Sequence, residues 1–166
     1  ADIITGGVGI DTIDGGAAND IITGGAGNDI ITGGDGNDSI TIDTDTDKIN
    51  DLGGSTGNDQ DVVVVKAGAT LNAINIIGFT ATNSTQNNST GASNAVLNAK
   101  DGENVTIDVS KATGAFKLVG GTGQDTLTGA GGADTITGGG EADTIVGNAG
   151  IAVSYTHLRA HETGWY

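Results

Sequence analysis

A chain of 166 residues with 31 Gly, no Pro, no Cys, no Met and a formal net charge of −15 has room for one domain or for a segment of a larger array. The charge argues against nucleic acid or anionic membrane as a partner, since both need basic surface, and no apolar run is long enough to span a bilayer. Without cysteine, neither disulfides nor thiolate metal sites hold the chain together. No signal peptide is visible.

Residues 6–41 read as four consecutive nine-residue units, GGVGIDTID, GGAANDIIT, GGAGNDIIT and GGDGNDSIT. Asp11, Asp20, Asp29 and Asp38 occupy position six of each, and Asp2 falls in the tail of an earlier unit. The glycines permit backbone angles closed to other residues and so allow a tight turn. The last three positions suit a very short strand, in which position eight (Ile13, Ile22, Ile31, Ile40) faces inward and its neighbours outward. Two units then make one coil, with a strand on each side. Stacked coils give two parallel sheets around a thin aliphatic core. The fold class expected is all-β: a right-handed parallel β-roll, or β-solenoid, of nonapeptide repeats, interrupted by a β-rich insert.

Residues 42–119 keep the small, polar composition and lose the period. Thr41 to Ile49 alternates, as an edge strand with a solvated acidic face would. Its Asp43, Asp45 and Asp47 resemble the start of an EF-hand loop, but Lys48 stands where that loop needs Gly, which leaves a solvated face or auxiliary calcium ligands. Gly54 to Asp59 reads as a degenerate turn, and Asp61 leads into a buried strand, Val62 to Val65. Leu71 to Phe79, Val105 to Val109 and Ala115 to Val119 read as further strands, and Thr80 to Asn94 as an exposed loop whose Asn83 and Asn88 match glycosylation sequons. From Asp38 to Asp125 is 87 residues, not a multiple of nine, so a second roll is expected out of register with the first.

That second roll, 120–150, contains GGTGQDTLT, GAGGADTIT and GGGEADTIV, with Asp125, Asp134 and Asp143 at position six and Leu127, Ile136 and Ile145 at position eight. Beyond it, 151–166 differs in kind, holding both His, the only Arg, the only Trp and both Tyr. Ala152 to Thr163 resembles a translated sequencing adapter, so 151–166 is set aside from the functional reading. The expected divisions are thus an N-terminal roll at 1–41, an insert at 42–119, a C-terminal roll at 120–150 and the tail.

One aliphatic side chain per nine residues is thin cover against the entropy of ordering a glycine-rich backbone. Stacking also brings like-charged carboxylates together. A cation at the turns resolves both. Calcium fits, because it takes six to eight oxygens in flexible geometry, whereas magnesium demands an octahedron and retains water.

The units resemble the hemolysin-type calcium-binding repeats of the RTX (repeats-in-toxin) family. That resemblance implies an ion between one turn and the turn two units later. Carbonyls of positions two and four with the Asp of the first would bind it, together with carbonyls of positions one and three and the Asp of the second. Carried onto this chain, one Ca2+ site uses Gly7, Gly9 and Asp11 with Gly24, Ala26 and Asp29. A second uses Gly16, Ala18 and Asp20 with Gly33, Asp35 and Asp38, and a third Gly121, Gly123 and Asp125 with Gly138, Gly140 and Asp143. Ala18, Ala130 and Glu141 replace glycines at positions that offer only carbonyls, so they weaken turns without deleting ligands. Asp134 lacks a complete later partner, and its site is expected to be empty or weak.

No catalytic constellation emerges: outside the tail there is no His, there is no Cys, and no Ser or Thr has an evident base beside it. The expectation is a non-enzymatic calcium-binding module of a larger secreted or surface-located bacterial protein, S-layer-like or adhesin-like, that folds on meeting extracellular calcium. The family resemblance implies the type I secretion machinery as a further partner. The alternatives are the calcium-binding segment of a secreted protease or lipase, and an ice-binding solenoid built on the position-nine threonines Thr23, Thr32, Thr41, Thr128 and Thr137.

Overall fold

Residues paired between neighbouring coils lie two repeat units apart, Ile3 with Ile21, Thr12 with Ile30 and Ile21 with Ser39, all in parallel. The structure, a computed structural model, describes residues 1–54, 57, 59–90, 94–149 and the backbone of 153–155. It contains strands and no α-helix among these residues, as the repeat physics requires. No helix is long and apolar enough to cross a membrane.

One sheet carries β1 (Ile3–Val8), β3 (Ile21–Ala26), β5 (Ser39–Ile42), β7 (Val62–Val65) and β10 (Gln86–Asn87) in that order. Facing it, an eight-stranded sheet runs through β2 (Thr12–Asp14), β4 (Ile30–Thr32), β6 (Thr46–Ile49), β8 (Thr70–Ile76), β11 (Ala95–Ala99), β13 (Lys117–Gly121), β15 (Thr135–Gly139) and β17 (Val153–Tyr155). A third sheet holds β9 (Phe79–Thr80), β12 (Thr106–Asp108), β14 (Thr126–Thr128) and β16 (Thr144–Val146). The eight-stranded sheet is therefore the common wall of the whole stack. Its opposite wall changes from the first sheet to the third in the middle, where three-sided coils carry a strand on each. The molecule is a parallel β-solenoid of roll type.

Position eight fills the core as expected: Ile22, Ile31, Ile40, Leu127 and Ile136 are fully buried, Ile13 nearly so, and Ile145 partly. The three-sided coils enclose a wider interior, and Phe79 and Phe116 fill it.

Three readings need correction. Thr41 to Ile49 is not an edge strand: it breaks at Asp45, which sits at φ 63°, and β6 pairs on both sides, with β4 and β8. Thr80 to Asn94 is not wholly an exposed loop. Gln86 and Asn87 pair with Val64 and Val65, Thr85 and Asn87 are buried, and the Asn87 side-chain amide donates to the Ala115 carbonyl. Leu71 to Phe79 is two strands, β8 and β9, on different sheets. The broken phase between the two blocks is absorbed locally by coils of unequal length, such as 23 residues from Asp38 to Asp61 and 20 from Val105 to Asp125, while the eight-stranded sheet continues unbroken. Apart from the backbone of β17, the 151–166 tail lies outside the described residues.

Candidate metal centre

The turns are set by left-handed residues at positions two and four. Gly7, Gly9, Gly25 and Gly27 lie at φ 111°, 109°, 100° and 127°. Three non-glycine residues hold the same position-four conformation at a cost, Ala18 at 84°, Asp45 at 63° and Glu141 at 66°. Turn 129–134 is built without any left-handed residue.

These turns hold the aspartates in a ladder. The main-chain N–H of five position-six residues donates to Oδ1 of the aspartate eighteen residues on: Asp2 to Asp20 (2.5 Å), Asp11 to Asp29 (2.9 Å), Asp20 to Asp38 (2.8 Å), Asp29 to Asp47 (2.9 Å) and Asp125 to Asp143 (3.0 Å). In the second roll, Val105 and Phe116 occupy the preceding slot and donate to Asp125 and Asp134. One oxygen of each carboxylate is thereby fixed. The other, Oδ2 of Asp11, Asp20, Asp29, Asp38, Asp47, Asp125, Asp134 and Asp143, is buried and has no hydrogen-bond donor.

Where those oxygens point is shown by the glycine at position one. A Cβ on Gly15 would lie 2.6 Å from the Gly33 carbonyl oxygen and 2.8 Å from Asp20 Oδ2, and one on Gly6 would lie 2.5 Å from the Gly24 oxygen and 2.7 Å from Asp11 Oδ2. Gly120 has the same two neighbours, Asp125 Oδ2 and the Gly138 oxygen. At all three predicted sites, Oδ2 of the earlier unit's aspartate and the position-one carbonyl oxygen of the later unit thus both pack against the position-one glycine of the earlier unit, so closely that only glycine fits. Around Gly129 the pair is Asp134 Oδ2 and the Gly147 oxygen.

The remaining predicted ligands lie alongside. Gly7 pairs with Gly25, the Gly9 N–H donates to the Ala26 oxygen, Ala18 and Gly16 exchange hydrogen bonds with Asp35, and the Gly140 N–H donates to the Gly121 oxygen. Each of these carbonyls keeps a second lone pair for an ion. The Gly123 position faces the Glu103 carbonyl of the coil before it.

Burial disfavours charge on this ladder. It raises the carboxyl groups of Asp38, Asp125 and Asp134 above the usual range and pushes Asp47 up to about 6, with the neighbouring Asp29, Asp45 and Asp43 adding to the effect on Asp47. Dry carboxylate oxygens that have no donor, crowd like charges and lie beside carbonyl oxygens make an all-oxygen donor set, the chemistry of a hard cation. Each pair supplies two carboxylates, and among the described residues no cluster of three or more His, Cys, Asp or Glu forms a ligand set. Calcium therefore fits the residues present.

Sequence reasoning allowed Asp47 as an auxiliary calcium ligand but placed neither Asp47 nor Asp61 as a rung of the ladder. Asp47 follows Asp38 by nine residues and Ile49 follows Ile40 by nine, so the period continued after the glycines ended. The alternation of Asp43, Asp45 and Asp47 masked that signal. Asp43 instead pairs with Lys66, Asp45 Oδ2 accepts the Gly27 N–H at 3.1 Å, and Asp47 alone is buried. Asp61 continues the ladder after an insertion that leaves no periodic trace.

A profile of the RTX calcium-binding nonapeptide repeat (4 copies) matches residues 5–40, 16–49 and 119–151. No curated protein and no solved structure gave a match. With the ladder, the left-handed turns and the profile in agreement, the two rolls belong to the RTX calcium-binding nonapeptide repeats.

Proposed function

We propose that this chain is a calcium-gated structural module, without catalytic activity, of a protein that works outside a bacterial cell. The observation that carries the reading is the row of buried aspartate Oδ2 atoms that have no hydrogen-bond donor and pack beside the carbonyl oxygens and position-one glycines of the turns. Without a cation, closing these turns desolvates carboxylates, crowds like charges and orders many glycines. Calcium, when bound, supplies the missing positive charge and further coordination by oxygen. Asp11 with Asp29, Asp20 with Asp38 and Asp125 with Asp143 would hold it, together with the carbonyls of their turns.

A fold that demands calcium at about 0.1 to 1 mM, the range of weak extracellular sites, is unfavourable in a calcium-poor cytosol and favourable outside. This suits export as an unfolded chain. The RTX repeats support type I secretion as the route and the cell surface or medium as the destination. The same repeated residues in glycine turns support a structural rather than an acid–base role.

The test is far-UV circular dichroism during a calcium titration, with magnesium as control. The expected outcome is a large gain of β-structure near millimolar calcium, absent with magnesium and reduced in Asp29→Ala. β-structure already complete in chelator would sink the gating mechanism.

A further inference from the structure

We infer that the three-sided central block, residues 62–119, folds without calcium and is the seed on which both rolls stack. The inference rests on the calcium-gated reading of the rolls and adds where folding begins and in which direction it spreads. Three separate features single out this block.

The first is its core. Leu71, Ile76, Phe79, Leu97, Ile107 and Phe116 are all fully buried, so this block shields larger side chains than the one aliphatic residue per unit of the rolls. More apolar surface is removed from water for each coil ordered. The second is charge. Every lysine of the chain, Lys48, Lys66, Lys100, Lys111 and Lys117, lies in the block or just before it, whereas 1–47 and 118–149 contain acidic residues and no Lys or Arg. The rolls therefore need an added cation for neutrality, and the centre does not.

The third is how buried carboxylates are satisfied. Between Asp47 and Asp125, no aspartate or glutamate among the described residues has a buried oxygen without a donor. Asp61, at the entrance to the block and fully buried, accepts the Asp38 N–H at 2.8 Å on Oδ1 and the Gly53 N–H at 2.7 Å on Oδ2. The Gly53 N–H thus takes the oxygen that is left bare on the other rungs. The calcium ladder ends there, on a rung that needs no metal.

The block also presents a template at each end. Toward the N-terminus, β7 pairs with β5 from Ser39↔Val62 to Ile42↔Val65, and β8 pairs with β6. Toward the C-terminus, β12 pairs with β14, and β13, whose first residues close the block, pairs with β15. Starting a parallel ladder is slow because distant strands must meet before any contact forms, whereas adding a coil to an existing edge needs only the next residues. Calcium then acts on coils that already have a neighbour.

Hydrogen exchange read by mass spectrometry on the full chain tests this. In chelator, amides of β8, β11 and β12 should exchange roughly a hundredfold or more slowly than those of β1 to β5. After calcium is added, pulse labelling should show β5 gaining protection before β3, and β3 before β1. Fast exchange of the central block in chelator would overturn the seed and leave calcium gating intact. Full protection of every strand in chelator would remove the gating and the seed together. Protection that arises at β1 first, or everywhere at once, would overturn the outward order. Leu97→Asp should abolish calcium-driven folding of β1 to β5 although it touches no ion site, and a wild-type response there would also overturn the seed. Asp29→Ala should leave the block's protection in chelator unchanged, and loss of that protection would count against an independent seed.

Discussion

Asp38 donates its main-chain N–H to Oδ1 of Asp61 at 2.8 Å, the same bond that Asp20 makes to Asp38 one coil earlier. The two acceptors differ at their second oxygen. In Asp38 that oxygen is bare, and in Asp61 it carries the Gly53 N–H. Asp61→Asn should therefore strand one buried N–H and cost roughly 1–3 kcal/mol in chelator and in calcium alike. Asp38→Asn should act through the ion and reduce mainly the stability gained on adding calcium. Urea unfolding of both variants with and without calcium separates them, and a calcium-specific loss in Asp61→Asn would show that this rung does bind the ion.

Gly15→Ala tests the packing of the turn oxygens without changing charge. Its Cβ would lie 2.6 Å from the Gly33 oxygen and 2.8 Å from Asp20 Oδ2, so the oxygens must separate. Calcium affinity of that site should fall about tenfold or more, which is about 1.4 kcal/mol. At Gly131 a Cβ meets nothing within 4 Å and the backbone is not left-handed, so Gly131→Ala should be neutral or stabilising by about 0.4–1 kcal/mol. Isothermal titration with calcium distinguishes the pair, and equal affinities would place the ion elsewhere.

The rolls were legible because one nine-residue rule fixes both the turn and the strand, so that Asp29 and Ile31 each declare their place. For the same reason the ladder positions of Asp11, Asp20 and Asp29 could be read from the spacing. What stayed hidden had no local signature. Asp47 keeps the spacing while its unit loses every glycine, and Asp61 keeps its role while losing the spacing. The burial of Asn87 depends on Val65 on one side and Thr113 to Ala115 on the other, contacts across long separations that no periodicity announces.

Core depth gives a third expectation. Ile31 is fully buried between stacked neighbours, and Ile145 is only partly buried. In saturating calcium, Ile31→Ala should cost about 2–5 kcal/mol by opening a cavity, and Ile145→Ala less. Because no ion ligand is removed, stability falls while the calcium-to-protein ratio at saturation stays constant. A changed ratio would mean that the aliphatic ladder and the turns are not separable.

Stability against pH should change sign with calcium. Burial raises the carboxyl groups of Asp47 and Asp61 to about 6, whereas an unfolded aspartate titrates near its ordinary value of about 3.9. Between those limits the folded chain binds more protons than the unfolded one, so in chelator its stability falls as pH rises through about 4 to 6 and is greatest below that window. With calcium present, a proton on Asp47 competes with the ion across the same window, so acidification weakens binding and lowers stability. The far-UV β-signal of the rolls should therefore be larger at pH 5 than at pH 7 in chelator, whereas in millimolar calcium the urea midpoint should be higher at pH 7 than at pH 5. Parallel shifts would mean that the buried carboxylates are charged in both states and that calcium does not act on them.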